Sequence, residues 1–280
     1  MGGGIELVVI GADGGPERAY AASASAGSGA AALAAALPGR TFDAGTRGCR
    51  VTALPPDADA NAMLTAVRAA AGRPARWLVV ALLGQLAADP RGRRVALVTA
   101  GSTPDNAYRR GLAWDWVVSA MVHGDQEETL LLVDAVADRD TWTALADEDA
   151  AGELLGHSRV PLWGRISRLR TGRRGRDAVR PGGDGSFSRH LGELLEHGVP
   201  GAPAALGPQE LHPLLDAELA RREGAAADAA SVRSLVPAEG GRLLMRNRAA
   251  VRGALAGLSL SEELLSVLWR ENAPIDPPNA

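Results

Sequence analysis

The apolar positions of this chain fall into short runs, separated by polar segments that are rich in glycine and proline. One run lies within residues 128–138, where LLLV precedes Asp134, and another is RWLVVALLG over residues 76–84, which precedes Gln85. Runs without polar alternation are typical of strands that are buried on both faces of a parallel sheet. We therefore predict a parallel sheet that is organised around these two strands.

The remaining elements follow from the same kind of patterning. Further strands are predicted over residues 5–10, 49–54, 95–99 (a short strand or hairpin arm), 160–166 and 242–245. Helices are predicted over residues 29–37, 112–122, 186–196 and 208–222. Another helix, capped by Asp57 or Asp59 and ended by Gly72, has Ala62, Leu64 and Val67 on its apolar face. The alternation of strands with crossover helices predicts an α/β three-layer sandwich with a mostly parallel central sheet and helices on both faces.

Composition narrows the class of protein. The 280 residues are 46% hydrophobic and can bury a sizeable core, and a net charge of −3 gives no overall attraction to nucleic acid or membrane. No apolar run reaches about 18 residues, and the N-terminus (MGGGIELVV) has no basic region ahead of an apolar segment, so we expect neither a membrane span nor a signal peptide. A single cysteine excludes a disulfide framework and fits a cytoplasmic location. All 30 basic residues are arginine, which we interpret as the coding bias of a high-GC bacterium.

Several segments resemble one known family in their order and spacing. Residues 78–106 (LVVALLGQLAADPRGRRVALVTAGSTPDN) are similar to the family's apolar strand, a GHG motif, a turn and a short strand. Residues 111–116 (GLAWDW), the helix pair within residues 185–219 around a G-V-P turn, and residues 243–248 follow in the same order. The chain thus resembles, over most of its length, the caspase-like peptidases of bacteria, which are relatives of metacaspases. The resemblance implies a caspase-like domain over residues 1–248 and a helical C-terminal extension over residues 249–280.

The departures from the family pattern fall on its chemistry. In that family a histidine in the GHG motif is the general base, and a cysteine in a D-[SC]-C-x-S-G motif is the nucleophile. Gln85 stands at the position of the base and Val136 at that of the nucleophile, with Ala135 before it. Asp138 and Arg139 stand where the motif has Ser and Gly.

These replacements remove both reacting groups. The thiolate is the attacking species and needs an adjacent histidine to take its proton. Valine has no lone pair and glutamine does not titrate, so hydrolysis by this mechanism is not expected. Cys49 and His123 belong to the opposite pole of the predicted sheet, and we expect Cys49 to be a small buried apolar residue.

We therefore predict a catalytically inactive pseudopeptidase that acts as a scaffold or regulatory binding partner. Its partner would be an active caspase-like homologue or a peptide, because the resemblance implies association through a sheet edge. We expect no cofactor, no metal, no membrane partner and no nucleic acid, while the sequence leaves the oligomeric state open.

An alternative is a metal-dependent enzyme at the same end of the sheet. In open α/β sheets the ligand lies beyond the carboxyl ends of the strands. Asp13 follows the first strand, and Asp134, Asp138 and Asp140 surround the end of the strand over residues 128–138. Convergent carboxylates can hold Mg²⁺, although aspartates at these places also commonly cap helices.

Histidines offer a second, weaker metal pattern. His190, Glu193 and His197 share one predicted helix, but ligands two turns apart converge poorly. We expect this set to be a solvated surface, and His157 and His212 have no partner in sequence.

Three further features are candidates for binding. Residues 164–185 are predicted to form a loop with seven arginines, which could bind nucleic acid, an acidic peptide or phosphate. The loop has no aromatic residue for base stacking, and a solvated loop without a ligand is the simpler interpretation. Its binding candidates are Arg168, Arg170, Arg173 and Arg174. Trp114 and Trp116, two apart on a helix, point to different faces, so one should be core and the other an exposed anchor. A tail helix carries an apolar stripe of Leu264, Leu265, Leu268 and Trp269, which would dock on its own domain or enter a partner's groove.

Overall fold

The computed structural model describes residues 4–14, 25–38, 48–89, 94–156, 158–169, 186–223, 232–237 and 243–250. Predictions for the tail helix and for most of the arginine-rich segment lie outside these residues.

A mostly parallel sheet forms the middle layer. Its strands are β1 Ile5–Gly11, β2 Cys49–Ala53, β3 Trp77–Ala88, β4 Val95–Leu97, β5 Leu112–Ala113, β6 Glu128–Ala137, β7 Leu162–Arg168 and β9 Val232–Leu235. The strand order is β2-β1-β3-β6-β7-β9; the first five strands in this order run parallel, and β9 runs antiparallel to β7. A separate two-stranded sheet pairs β8 Ala205–Leu206 with β10 Met245–Arg246. The two strands predicted to organise the sheet, β3 and β6, are neighbours in its middle.

Helices cover both faces of the sheet. They are α1 Ala26–Ala36, α2 Ala60–Ala71, α3 Ala107–Arg110, α4 Trp114–Val122, α5 Arg139–Ala144, α6 Glu148–Leu155, α7 Phe187–His197 and α8 Pro208–Glu223. One core lies between the sheet and α2, α4 and α6, and we call this side the α2–α4 face. The other lies between the sheet and α1, α7 and α8, and we call this side the α1–α7 face. The predicted three-layer α/β sandwich is confirmed.

The strand β3 shows how the apolar runs build both cores. Leu78, Val80 and Leu82 point to the α2–α4 face, whereas Val79 and Ala81 point to the α1–α7 face. All of them are buried, as expected for a central strand without polar alternation. Burial of each leucine stabilises the fold by about 2 kcal/mol, so this register is strongly fixed.

Local signals place the helix boundaries. The Asp59 side chain accepts a hydrogen bond from the Ala62 backbone N–H at 2.7 Å, and α2 ends at Gly72 as predicted. Leu64 and Val67 are buried as predicted, but Ala62 is exposed and Met63 is buried in its place. The predicted helix over residues 112–122 begins instead at Trp114, since Leu112 and Ala113 pair with β4.

The C-terminal half contains the main errors of the sequence-based assignment. The strand predicted over residues 160–166 forms as β7, but residues 167 and 168, which were predicted as loop, also belong to it, because the partner strands β6 and β9 supply the hydrogen bonds. The edge strand β9 was not predicted, because its four residues carry no long apolar run. The last predicted strand forms only at Met245–Arg246, and it pairs with β8 outside the main sheet.

Candidate functional site at the carboxyl ends of the strands

Gln85 and Val136 lie side by side on the two central strands, β3 and β6. They are Cα partners in the parallel register of β3 and β6, and each is about 1% exposed. Both residues lie inside their strands and not beyond the strand ends. The strand β3 continues past Gln85 because Leu86 and the next two residues pair with β4, and the Val98 N–H donates to the Gln85 carbonyl at 2.8 Å.

Gly84 fixes the backbone directly before Gln85. Its φ is +154°, and a Cβ at this position would lie 2.9 Å from Leu97 Cδ1 and 3.0 Å from the Ala12 carbonyl oxygen. Glycine is therefore required by the close approach of β4 and of the segment that follows β1. This contact holds Gln85 beside Val136.

The pair offers no reacting group. The Gln85 Oε1 atom is buried and accepts no hydrogen bond from any described residue. A buried amide oxygen can accept a hydrogen bond, but it cannot take a proton near neutral pH, and the Val136 side chain can do neither. The arrangement can contribute to packing but not to nucleophilic or acid–base chemistry.

The single thiol lies elsewhere and is inert. Cys49 opens β2 at the amino end of the parallel strands and packs against the core of the α1–α7 face. Burial, together with the negative charge of Glu6, raises the pKa of the Cys49 thiol to about 11. The thiol is protonated at neutral pH and is not a nucleophile, in agreement with the expected structural role.

The acidic residues at the strand ends cap helices. Asp13 Oδ1 accepts from the Gly27 N–H at 3.1 Å at the start of α1, and Asp138 Oδ1 accepts from the Thr141 N–H at 2.8 Å at the start of α5. Asp134, 4% exposed, accepts from the Ser188 N–H at 3.0 Å and from the Ser188 hydroxyl at the start of α7. A carboxylate at a helix N-terminus satisfies orphan N–H groups and interacts favourably with the helix dipole.

These caps separate the carboxylates from one another. Within the part of the chain that the structure describes, no three acidic, histidine or cysteine side chains form a group that could hold a metal ion. Asp13, Asp134 and Asp138 therefore do not converge, and Asp140 is exposed in the first turn of α5. The metal-enzyme alternative has no observation in its favour.

A partly buried polar cluster that the sequence did not indicate lies beside Asp134. Arg165 on β7 is the register partner of Asp134 and is 7% exposed. On α8, His212 Nε2 lies 3.2 Å from Asp216 Oδ2, and Ser234 of β9 donates to the same oxygen at 3.2 Å. Partial burial raises the pKa of the Asp216 carboxyl, but His212, Ser234 and Arg165 lower it by more, so the net pKa lies below its ordinary value. The i,i+4 spacing of the histidine and aspartate was the one signal available in the sequence.

His190 was wrongly assigned to a solvated surface. It is 2% exposed, and its Nδ1 atom lies 3.2 Å from Glu193 Oε2, whereas His197 is exposed. Burial raises the pKa of Glu193, but hydrogen bonds from His190 and Arg189 and the charge of Arg222 on α8 bring it below its ordinary value. Glu193 also pairs with Arg222 and so links α7 to α8, and within the described residues this set forms no metal site.

The two tryptophans divide as predicted. Trp114 is 1% exposed and donates from Nε1 to the Leu155 carbonyl at 2.8 Å, whereas Trp116 is 51% exposed. Of the arginine candidates, Arg168 is exposed at the end of β7. Arg170, Arg173, Arg174, Leu265 and Trp269 lie outside the described residues.

Comparisons with models of known protein families and with curated proteins find no match for this chain. Within the described residues, every helix is too short or too polar to cross a lipid bilayer. The fold class therefore stands on the structure, and the function has to be argued from the site.

Proposed function

We propose that the protein is a catalytically inactive, caspase-like pseudopeptidase that acts as a scaffold or regulatory binding partner in the cytoplasm. The observation that carries the proposal is the pairing of Gln85 with Val136. The sequence resemblance assigns the general base and the nucleophile to these two positions, and the register of β3 and β6 sets them side by side. The geometry suited to a reactive pair is thus occupied by two side chains that cannot react.

The surroundings of the pair support binding over catalysis. Asp134 accepts a hydrogen bond at the N-terminus of α7. The one thiol, Cys49, lies at the other end of the strands, and its pKa is raised to about 11. A short antiparallel strand, β9, ends the described sheet on one side. An edge strand has backbone groups that can pair with another chain, which gives an active caspase-like homologue a route of association.

A hydrolysis assay tests the loss of catalysis. Purified protein should cleave no fluorogenic peptide with a basic, an acidic or a neutral P1 residue. Gln85→Ala, Val136→Ala and Cys49→Ser are the matched variants, because a trace activity that all three retain comes from a contaminating protease. Cleavage by the wild type that one of these substitutions abolishes would overturn the proposal.

The binding role needs its own measurement. The full-length protein should co-purify with a caspase-like peptidase of its native host when the two are co-expressed, and it should change the rate at which that enzyme cleaves its substrate. If neither complex formation nor a change in rate is observed with any caspase-like peptidase of that host, the regulatory part of the proposal is wrong.

A further inference from the structure

The helix α4 carries two stripes of side chains with different exposure. Trp114, Val117, Val118 and Met121 follow the helical repeat and are buried in the core. A second stripe, two residues further along, has the same spacing and consists of Trp116, Ser119, Ala120 and His123. Its first member is a tryptophan with half of its surface exposed, and the small residues after it leave a depression beside the ring.

The end of α2 completes this depression. Arg68, Ala71 and Gly72 lie opposite the second stripe of α4, and together these residues line a groove of about 400 Å³. We call it the Trp116 groove. The backbone carbonyls at the end of α2 are already satisfied, because Gln126 Nε2 donates to those of Ala71 and Arg73 at 2.9 and 2.7 Å. Side chains therefore determine what the groove binds.

The Trp116 groove is lined by one formal charge, the guanidinium of Arg68. The imidazole of His123 also lines the groove, and none of the lining residues is acidic. Within the described ranges neither side chain has a carboxylate within ion-pair distance, although the chain as a whole has 33 acidic residues against 30 basic ones. His123 uses Nδ1 with the Ser119 carbonyl at 2.8 Å, which leaves Nε2 for another partner. An exposed indole beside a guanidinium and an imidazole suits an apolar side chain next to a carboxylate.

The Trp116 groove is separate from the Gln85–Val136 pair. The helix α2 ends just before β3 begins, and α4 ends just before β6 begins. The C-terminal ends of these crossover helices therefore lie at the amino ends of the parallel strands, whereas Gln85 and Val136 lie near the carboxyl ends. A ligand in the groove would not touch the degenerate site.

We propose that the Trp116 groove binds a helical segment of a partner protein. In this segment apolar side chains recur at helical spacing and acidic side chains occupy positions between them. The indole and the small residues contact the apolar side chain, and Arg68 and His123 pair with the carboxylates. The inference rests on the proposed binding function and deepens it by naming the surface and the chemistry of the partner.

Fluorescence polarisation with designed peptides tests the groove. The probe is a fluorescein-labelled peptide of about 15 residues, with leucine at helical spacing and glutamate at the other positions. It should bind the full-length protein more tightly than peptides of the same pattern in which lysine or glutamine replaces glutamate. Binding of the glutamate peptide should weaken as salt is raised from 50 to 300 mM.

Variants of the protein locate the binding. Trp116→Ala should weaken binding of the glutamate peptide about tenfold or more, as for an aromatic anchor. Arg68→Glu should weaken it and improve binding of the lysine peptide. Leu214→Ala and Arg139→Glu, which change exposed residues away from the groove, are the matched controls and should leave the affinity unchanged.

Three results of the peptide assay would overturn the inference. They are no binding of the glutamate peptide, equal binding of the three peptides, or binding that Trp116→Ala leaves intact. Self-association in analytical ultracentrifugation that Trp116→Ala abolishes would also overturn it, because a second copy would then occupy the groove. These results leave the loss of catalysis untouched, and peptide hydrolysis that depends on Gln85 or Val136 would end the pseudopeptidase proposal without affecting the groove.

Discussion

The two ends of the parallel strands differ in how their polar groups are used. At the carboxyl ends, Asp13, Asp134 and Asp138 are committed to helix N-termini, and the Gln85–Val136 pair is almost fully buried. At the amino ends, the Trp116 groove has an exposed tryptophan and two basic side chains without an acidic partner among the described residues. At the end of the sheet that usually hosts ligands, these polar groups are thus held in internal contacts, whereas the proposed binding surface lies at the other end.

A similar contrast exists within α4 itself. Trp114 and Trp116 are separated by one residue, so the helix turns them to different sides. One closes the core against α6, and the other borders the groove. The same residue type thus serves stability in one case and is available for recognition in the other.

The largest effect on the free energy of unfolding is expected when the buried tryptophan of α4 is replaced. Trp114→Ala should lower the free energy of unfolding by about 4 kcal/mol, because it leaves a cavity and an unsatisfied Leu155 carbonyl. Trp116→Ala is the matched control and should change it by no more than about 0.5 kcal/mol. Urea denaturation measures both values. An equal loss in the two variants would mean that Trp116 is packed and that the groove is not an open surface.

The next effect concerns the capping carboxylates at the carboxyl ends. Asp134→Ala should lower the free energy of unfolding by about 3 kcal/mol, because the buried Ser188 N–H and hydroxyl lose their hydrogen-bond acceptor. The substitution also places an alanine at the register partner of the charged Arg165. Asp140→Ala, at an exposed position of α5, should cost no more than about 0.5 kcal/mol. Urea denaturation again gives the comparison. A loss below about 1 kcal/mol for Asp134→Ala would show that this carboxylate is dispensable for the fold and reopen it to a role in ligand binding.

The smallest effect is a pH dependence of the contacts that α8 makes with α7 and β9. The pKa values of Glu193 and Asp216 lie below their ordinary values near 4, so both groups bind fewer protons in the folded state than in the unfolded one. Their contribution to stability is present above about pH 4 and is lost as the pH falls through the folded-state pKa values. The difference in urea midpoint between the wild type and Glu193→Gln/Asp216→Asn should be modest at pH 7, because both groups are partly exposed, and should shrink below about pH 4.

Glu196→Gln is the matched control for that experiment. It removes an exposed carboxylate from the same helix and should leave the urea midpoint unchanged over the whole pH range. A difference that grows as the pH falls would contradict the assigned direction of the two pKa shifts.

The fold could be predicted from the sequence where the pattern was long. The apolar runs of β3 and β6 and the cap at Asp59 are local signals, and they identified the central strands and α2. The short strand β9 was missed because it is held by pairing with the distant strand β7 and carries no long apolar run. For the candidate site, the sequence indicated only that it lies near the ends of the two central strands.

The sequence by itself determined that Gln85 and Val136 cannot act as a base and a nucleophile, because reactivity is a property of the side chain. Only the tertiary structure decided that the two residues are adjacent and buried, since this depends on the register of β3 with β6 and on the hairpin to β4. It also decided that the aspartates cap three different helices and do not meet, and that Trp116, Arg68 and His123 border one groove. Such groupings arise from contacts between residues far apart in the chain, and no local pattern encodes them.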